Sequence, residues 1–427
     1  MIDPELQFLN HACIRVEHGS EALLCDPWFF GRVFNQSWGL LEETEVDALD
    51  LDRVRHIWIS HEHPDHLHFP TLRALRERLS GEVTVYYREQ KAQHVRKALE
   101  GLGFRFVALA AGASYRLGAG FSITPFESED DCALLIEAGD RVILNQNDCR
   151  LSDSNCRRIT QRFPRIDAWL FQFSLAGYCG NRDDPEALRG AHRAQLESIR
   201  HYHARFSPEV YVPFASFIYF CKIRNAYLND FVVDIEDVWD MLRGRRVQIL
   251  CPDEVLDWEA QGSSSQASRA FWADSFQRER SLHPSEAVSE ERLCEVGQAL
   301  VEEAAQRIPR LFRIPEVQLK SEDTGRVFSL DFRRASFCVV KQPDPEKYAG
   351  SLPSEELLGF LELPSGGDTL NITGCFDIHN RWLWLQMLHF RHMLYTTAAY
   401  RLAWPHFLLK GGAKAARFLA RRGGSRS

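Results

Sequence analysis

The 427-residue chain is 45% hydrophobic with a formal net charge of −8, which excludes disorder as its main state and leaves material for two domains. That acidic balance argues against a general binder of nucleic-acid backbones, which needs a net basic surface to displace counterions. The start "MIDPELQFLNHACIRVE" has no secretory pattern and no stretch reaches about 18 uninterrupted apolar residues, so a cytoplasmic chain without a transmembrane segment is expected.

In chain order, Gln7 to Val16 and Ala22 to Cys25 read as two strands turned by "HGS". "VRHIWIS" is a compact buried strand, and "FPTLRALRERLS" follows with apolar residues at helical spacing. "EVTVYY", "FSITPF", "CALLIEAG" and "RVILNQND" read as strands, the last two joined by an "AGDR" turn. "AWLFQFS" and "VYVPFAS" read as buried strands flanking a helical "AQLESIRHYHARF". Such alternation predicts a sheet-rich α/β domain over residues 1–258 with helices outside. A Gly/Ser-rich linker follows at 259–268, and a smaller α+β domain is expected over 269–427. In it, "ERLCEVGQALVEEAAQRI" reads as an amphipathic helix, "RVFSLDFRRASFCVV" and "DTLNITGCFDI" as strands, and "PSEELLGFLEL" as a capped helix. The basic tail "RLAWPHFLLKGGAKAARFLARRGGSRS" reads as a solvated terminal helix with a frayed end. Eleven cysteines without CxxC spacing fit buried thiols in a reducing compartment.

The densest chemistry lies between Arg55 and Leu72, "RHIWISHEHPDHLHFPTL". His61 and His63, two residues apart on an extended segment, face one side, and Asp65 and His66 follow just past Pro64. Pro64 stiffens the turn and holds back the helix start. Imidazole and carboxylate donors converging from a loop after a buried strand suit zinc, iron or manganese.

"HEHPDH" resembles the HxHxDH signature of the metallo-β-lactamase superfamily, which implies an αββα sandwich. "FLNHACIRVEHGSEALLCDPWF" resembles its opening hairpin with strand-ending Asp26, and "RVILNQNDC" the strand ending in a bridging aspartate, Asp148. Within the superfamily, "HAC", "DPWFFGRVFNQSWGLL", "SHEHPDHLHFPTL", "ILNQNDC" and "VYVPFAS" are similar to the CMP-N-acetylneuraminate hydroxylase group, over roughly the first 230 residues. Three departures stand out. The chain has no CxH…CxxH pair for a Rieske module, so an oxygenase would draw electrons from a separate electron-donor protein or from the substrate. A histidine expected before Asp148 is replaced by "FESEDDC", where Glu127, Glu129, Asp130 or Asp131 stands as an oxygen ligand. The late histidine is missing from "VPFASFIYFCKIRN", which puts a second metal in doubt; His192, His201 and His203 read as helix-surface residues.

The resemblance therefore implies His61, His63, Asp65, His66, Asp148 and Glu127 as metal ligands, for one or two irons, with zinc or manganese as the alternative. Three functions stay open: an oxygenase of a small molecule such as an amino-sugar nucleotide or related metabolite, a hydrolase in which Asp65 orients or deprotonates a metal-activated water, and a degenerate ligand-binding domain. Lactones, phosphodiesters, amides and thioesters are eligible for the hydrolase. His11 and Trp28 are expected to line the substrate pocket, although a structural role for His11 and core packing for the aromatic residues near Asp26 are equally open. Arg182, in "YCGNRDD", is a candidate for an anionic substrate group and His68 is expected to be exposed. The second domain resembles sterol-carrier-like modules and could cap the site, bind an apolar group or mediate homo-oligomer formation.

Overall fold

A computed structural model describes residues 3–88, 93–128, 131–260, 266–310 and 313–400. The chain falls into two compact units: residues 1–179, 184–221 and 226–282, and residues 180–183, 222–225 and 283–427.

In the first unit, β1 (Glu5–Asn10), β2 (Cys13–His18) and β3 (Glu21–Cys25) run antiparallel. A small pair, β4 (Arg32–Val33) and β5 (Trp38–Leu40), leads to β6 (Val54–Trp58). Helices α1 (Phe69–Arg78) and α2 (His94–Gly101) then connect β6 to β7 (Thr84–Arg88) and β8 (Arg105–Leu109), which extend the sheet in parallel in the order β1-β2-β3-β6-β7-β8. The second sheet folds β9 (Tyr115–Gly118), β10 (Phe121–Ser128), β11 (Asp131–Ala138) and β12 (Arg141–Asn147) as an antiparallel meander. It continues through α3 (Asp153–Arg162), β13 (Ala168–Gln172), α4 (Pro185–Phe206) and β14 (Val210–Phe214), with β12, β13 and β14 parallel. β15 (Ile218–Phe220) pairs with β5, and α5 (Ile235–Met241) and α6 (Gln266–Gln277) close the unit.

Residue alternation builds the layers, because successive strand side chains face opposite sides. Leu23, Cys25 and Trp58 point into the core shared with Ile123, Leu134 and Leu170 of the second sheet. Their neighbours Ala22, Leu24 and Ile57 point the other way, onto Leu72 and Leu75 of α1 and Val95 and Leu99 of α2. Ile159 of α3 and Ile199, Tyr202 and Phe206 of α4 join the shared core. The result is the four-layer αββα sandwich expected from the motifs.

One expected strand is really two. Gln7 to Val16 breaks at His11, whose φ of 41° turns β1 into β2. The division between units also falls at Leu282, beyond the 259–268 linker read from composition, part of which lies outside the described residues. Trp272 supplies the reason: fully buried, it stacks on Phe217 at 3.8 Å and donates from Nε1 to the Leu250 carbonyl at 2.9 Å, tying α6 to the first unit. Trp272→Ala should cost about 3–5 kcal/mol, read as a lowered urea midpoint at an unchanged slope.

The second unit contains α7 (Glu290–Arg307), β16 (Val317–Ser321), β17 (Val327–Asp331), β18 (Ser336–Val339), β19 (Tyr348–Leu352), α8 (Ser354–Glu362), α9 (Gly366–Thr373), β20 (Asp377–Ile378) and α10 (Arg381–Tyr400). Its sheet runs β18-β17-β16-β19-β20. "DTLNITGCFDI" is thus mostly helix rather than strand. Leu370 and Thr373 bury one helical face, and Gly374, at φ 65°, ends the helix in the left-handed conformation glycine adopts freely. Lys222 is fully buried in this unit between Glu355 (2.8 Å) and Glu356 (2.5 Å). The basic tail from residue 401 lies outside the described residues.

Candidate metal centre

The site forms at the carboxyl ends of parallel strands, where open α/β sheets place their ligands. Asp26 follows β3, the loop from Ile59 to His68 follows β6, and Asp148 follows β12. The β1–β2 turn adds His11, whose carbonyl accepts from the Ala215 N–H just past β14 at 2.7 Å. Three residues here hold left-handed backbone: His11 (φ 41°), Asp26 (φ 41°) and Asn147 (φ 45°). Such conformations cost on the order of 1–3 kcal/mol each, least for His, Asp and Asn. Side-chain bonds offset the strain at Asp26 and Asn147. Asp26 Oδ1 accepts from the Ser60 N–H at 2.7 Å, and Asn147 Oδ1 accepts from the Cys149 N–H at 3.1 Å while its Nδ2 donates to the Cys132 carbonyl at 3.1 Å.

His61 and His66 present their Nε2 atoms to one point. Each Nε2 lies 3.7 Å from Asp148 Oδ2, and His66 Nε2 lies 3.4 Å from Asp65 Oδ2. His63 Nδ1 comes within 2.8 Å of His61 Nε2. Behind the rings, the Nδ1 atoms are held from the far side: His66 Nδ1 by Asp26 Oδ2 at 3.0 Å, His61 Nδ1 by Asp131 Oδ1 at 3.4 Å, and both by Ser60 Oγ, at 3.1 and 3.0 Å. A serine oxygen has two lone pairs and can accept from both. With Nδ1 protonated, each Nε2 lone pair faces the centre, the arrangement that orients metal-ligating histidines.

The donor set fits a metal ion. Three overlapping groups hold donor atoms all within 4.8 Å of one another: His11, Asp65 and His66; His61, His66 and Asp148; His61, His63 and Asp65. Separations of 3.4–3.7 Å are too long for good hydrogen bonds. They match the edge of a tetrahedron with bonds of about 2.1 Å, which is about 3.4 Å. Asp65 Oδ1 and Asp148 Oδ1 are buried without a hydrogen-bond partner among the described residues, a cost that a cation would relieve.

The electrostatics agree. Burial and the nearby Asp148 push the Asp131 carboxyl well up, and burial raises Asp148 against the attraction of His66. Burial opposes charge on His66 as well, but Asp65, Asp148 and Asp26 outweigh it and hold its pKa well above the usual range. Burial and the neighbouring His66 and His63 push His61 well down. Burial also works against the Asp65 anion, yet His66 and His11 keep it ionised. Four carboxylates, Asp26, Asp65, Asp131 and Asp148, thus crowd around the imidazoles, and His66 is the group they hold in its cationic form, in the place a metal cation would take.

His61, His63, Asp65, His66 and Asp148 thus lie close together, in overlapping donor groups. Of the four acids proposed to replace a histidine, Glu129 and Asp130 lie outside the described residues. Asp131 stands behind His61 on its Nδ1 side. Glu127, opposite Cys132 in the β10–β11 hairpin, is in none of the three donor groups. Trp28 is fully buried, donates from Nε1 to the Phe30 carbonyl at 3.0 Å and packs edge-on against His11 with ring centres 5.3 Å apart. Arg182 belongs to the second unit, where its Nη2 meets Asp377 at 3.3 Å. His68 is buried rather than exposed: it caps α1, accepting from the Thr71 N–H at 3.3 Å, and burial lowers its pKa to about 4. Sequence reasoning missed Ser60, whose only signal is its place between the strand and the first ligand.

Residues 22–177 match the family model described as "Beta-lactamase superfamily domain". Cytidine monophosphate-N-acetylneuraminic acid hydroxylase from Mus musculus is 23% identical over 244 residues, 53% of this chain and 41% of that protein. The proteins of the same name from Asterias rubens and Sus scrofa are 37% identical over 83 residues and 45% identical over 70, covering 19% and 16% of this chain. The chain matches well under two thirds of each relative's length, 13% for the Asterias rubens protein and 16% for the Sus scrofa protein. Among solved structures, CmlA, a diiron beta-hydroxylase from Streptomyces venezuelae, aligns with TM-score 0.43 and 16% identity over 60% of this chain and 54% of its own. Igni18, a metallo hydrolase from Ignicoccus hospitalis, aligns with TM-score 0.38 and 16% identity over 59% of this chain and 97% of its own. Residues 22–177 of the first unit are thus similar to a beta-lactamase superfamily domain, and the HxHxDH loop lies within that matched stretch.

Proposed function

We propose that the chain is a metal-dependent oxygenase that hydroxylates a small molecule, an amino-sugar nucleotide or related metabolite, with one or two irons at the HxHxDH loop. The observation that carries this reading is the anionic character of the site: Asp65 and Asp148 face the centre, while Asp26 and Asp131 stand behind two of the imidazoles. Hard oxygen donors favour iron or manganese over softer choices and stabilise a higher oxidation state. Bound iron would supply electron transfer and dioxygen activation. The chain's own residues do the rest. His61, His63, His66, Asp65 and Asp148 hold the ion, Asp26 and Asp131 fix the ring tautomers, and Trp28 and Phe34 pack edge-on against His11 and His63. The similarity to the sialic-acid nucleotide hydroxylases supports the substrate class. In this reading electrons come from a separate donor protein or from the substrate.

Hydrolysis is the second reading, favoured by one feature. Asp65 Oδ1 is buried and without a hydrogen-bond partner among the described residues, which would suit it to orient or deprotonate an attacking water. The readings separate on anaerobic purification from iron-supplemented cells, metal analysis and addition of dioxygen. Bound iron with a new charge-transfer band on oxygenation supports the oxygenase. Zinc alone, with no response to oxygen, sinks it and leaves hydrolysis.

A further inference from the structure

His11 is the one histidine of the site that lies outside the HxHxDH loop, and its placement is unusual. It is 2% exposed, it sits at a left-handed turn, and neither ring nitrogen makes a hydrogen bond among the described residues. A buried imidazole with two orphaned nitrogens is costly, on the order of 1–3 kcal/mol for each group left unmade. Folded chains retain such a group where something else satisfies it. The ring is not loosely held: Trp28 packs edge-on against it, and the backbone carbonyl of the same residue is tied to Ala215.

The direction of the ring identifies what it meets. His11 Nε2 lies 3.5 Å from Asp65 Oδ2, and His66 Nε2 lies 3.4 Å from the same oxygen. The three atoms lie within 4.8 Å of one another. Both edges match the roughly 3.4 Å spacing of donors around an ion with bonds of about 2.1 Å. Asp148 Oδ2, 3.7 Å from His66 Nε2, closes the other side.

We infer that His11 is a direct ligand of a second metal ion, held with Asp65, His66 and a shared Asp148, next to a first ion held by His61, His63 and Asp148. This deepens the reading above, since it rests on the HxHxDH loop binding metal. It gives His11 coordination in place of substrate contact, and it restores an imidazole to a second position that the motif resemblance had left without one.

The test is metal binding itself, independent of turnover. Metal-free wild type, His11→Ala and His11→Asn are titrated with Mn²⁺ under anaerobic conditions, with bound metal per chain measured after desalting and the melting temperature followed. Asparagine tolerates the left-handed turn and keeps the comparison interpretable should the alanine variant fold poorly. The inference expects wild type to take up two ions in two phases and His11→Asn to keep only the tighter one, losing the second phase of stabilisation while its metal-free melting is not lowered. Two ions retained by His11→Asn with unchanged affinities would overturn it, as would a single ion in both proteins. If wild type bound no metal, the proposed function would fail along with it; the inference fails alone when wild type binds metal and the substitution changes nothing.

Discussion

Asp148→Ala is expected to weaken metal binding by at least about 100-fold, the upper end of what losing a partner behind a ligand costs. Asp148 Oδ2 is the oxygen that His61 Nε2 and His66 Nε2 both face, each at 3.7 Å, so its loss takes a donor from the centre of the cluster. A hundredfold loss corresponds to about 2.7 kcal/mol. At saturating metal it would lower the melting temperature of a unit this size by about 5–10 °C. The metal-free comparison should run the other way. Asp148 is crowded by burial and by the like charges of Asp65 and Asp26, so removing it relieves repulsion in the empty site. A variant less stable than wild type with metal, and at least as stable without it, is the signature; unchanged metal affinity in a chelator competition would rule out a ligand role for this carboxylate.

Asp26→Asn acts one step back from the ion and separates charge from shape. Asp26 is completely buried; its Oδ1 accepts from the Ser60 N–H at 2.7 Å and its Oδ2 holds His66 Nδ1 at 3.0 Å. An asparagine can keep the first bond with its oxygen, but it then turns an NH₂ donor toward His66 Nδ1. That favours the tautomer with the proton on Nε2, where the metal-facing lone pair is needed. Metal affinity should fall by about 10–100-fold with little change in overall fold, read by competition with a calibrated chelator. Unaltered affinity would mean that the Asp26–His66 contact serves packing alone.

How much of this was legible in the sequence depends on how local the information is. His61, His63, Asp65 and His66 could be named because their spacing and Pro64 act within six residues, and Asp148 because "RVILNQNDC" resembles the family strand that ends in a bridging aspartate. The tautomer control was harder to see, since Asp26, Ser60 and Asp131 are brought to the imidazoles from three different elements. The acid facing His61 follows from the pairing of Ser128 with Asp131 at the end of the β10–β11 hairpin, a register that composition does not reveal. The left-handed turn at His11 is not legible because "QFLNHACIRV" keeps its apolar pattern straight through it. His68 reads as exposed because it lies past the motif, while its capping bond to Thr71 holds it inside. In "DTLNITG" the β-branched residues favoured a strand, but burial of Leu370 and Thr373 on one face and the left-handed Gly374 decided for a helix. Local propensity yields to packing of this kind wherever the buried face follows the helical period.

The HxHxDH loop and Asp148 are proposed to hold metal between the His61 and His66 Nε2 atoms. Anomalous diffraction at the iron edge, from crystals grown anaerobically with iron, tests it most directly. A peak is expected about 2.0–2.3 Å from His61 Nε2 and from Asp148 Oδ2. Iron-loaded crystals with no anomalous density among these side chains, or with density only at a surface site elsewhere, would contradict it.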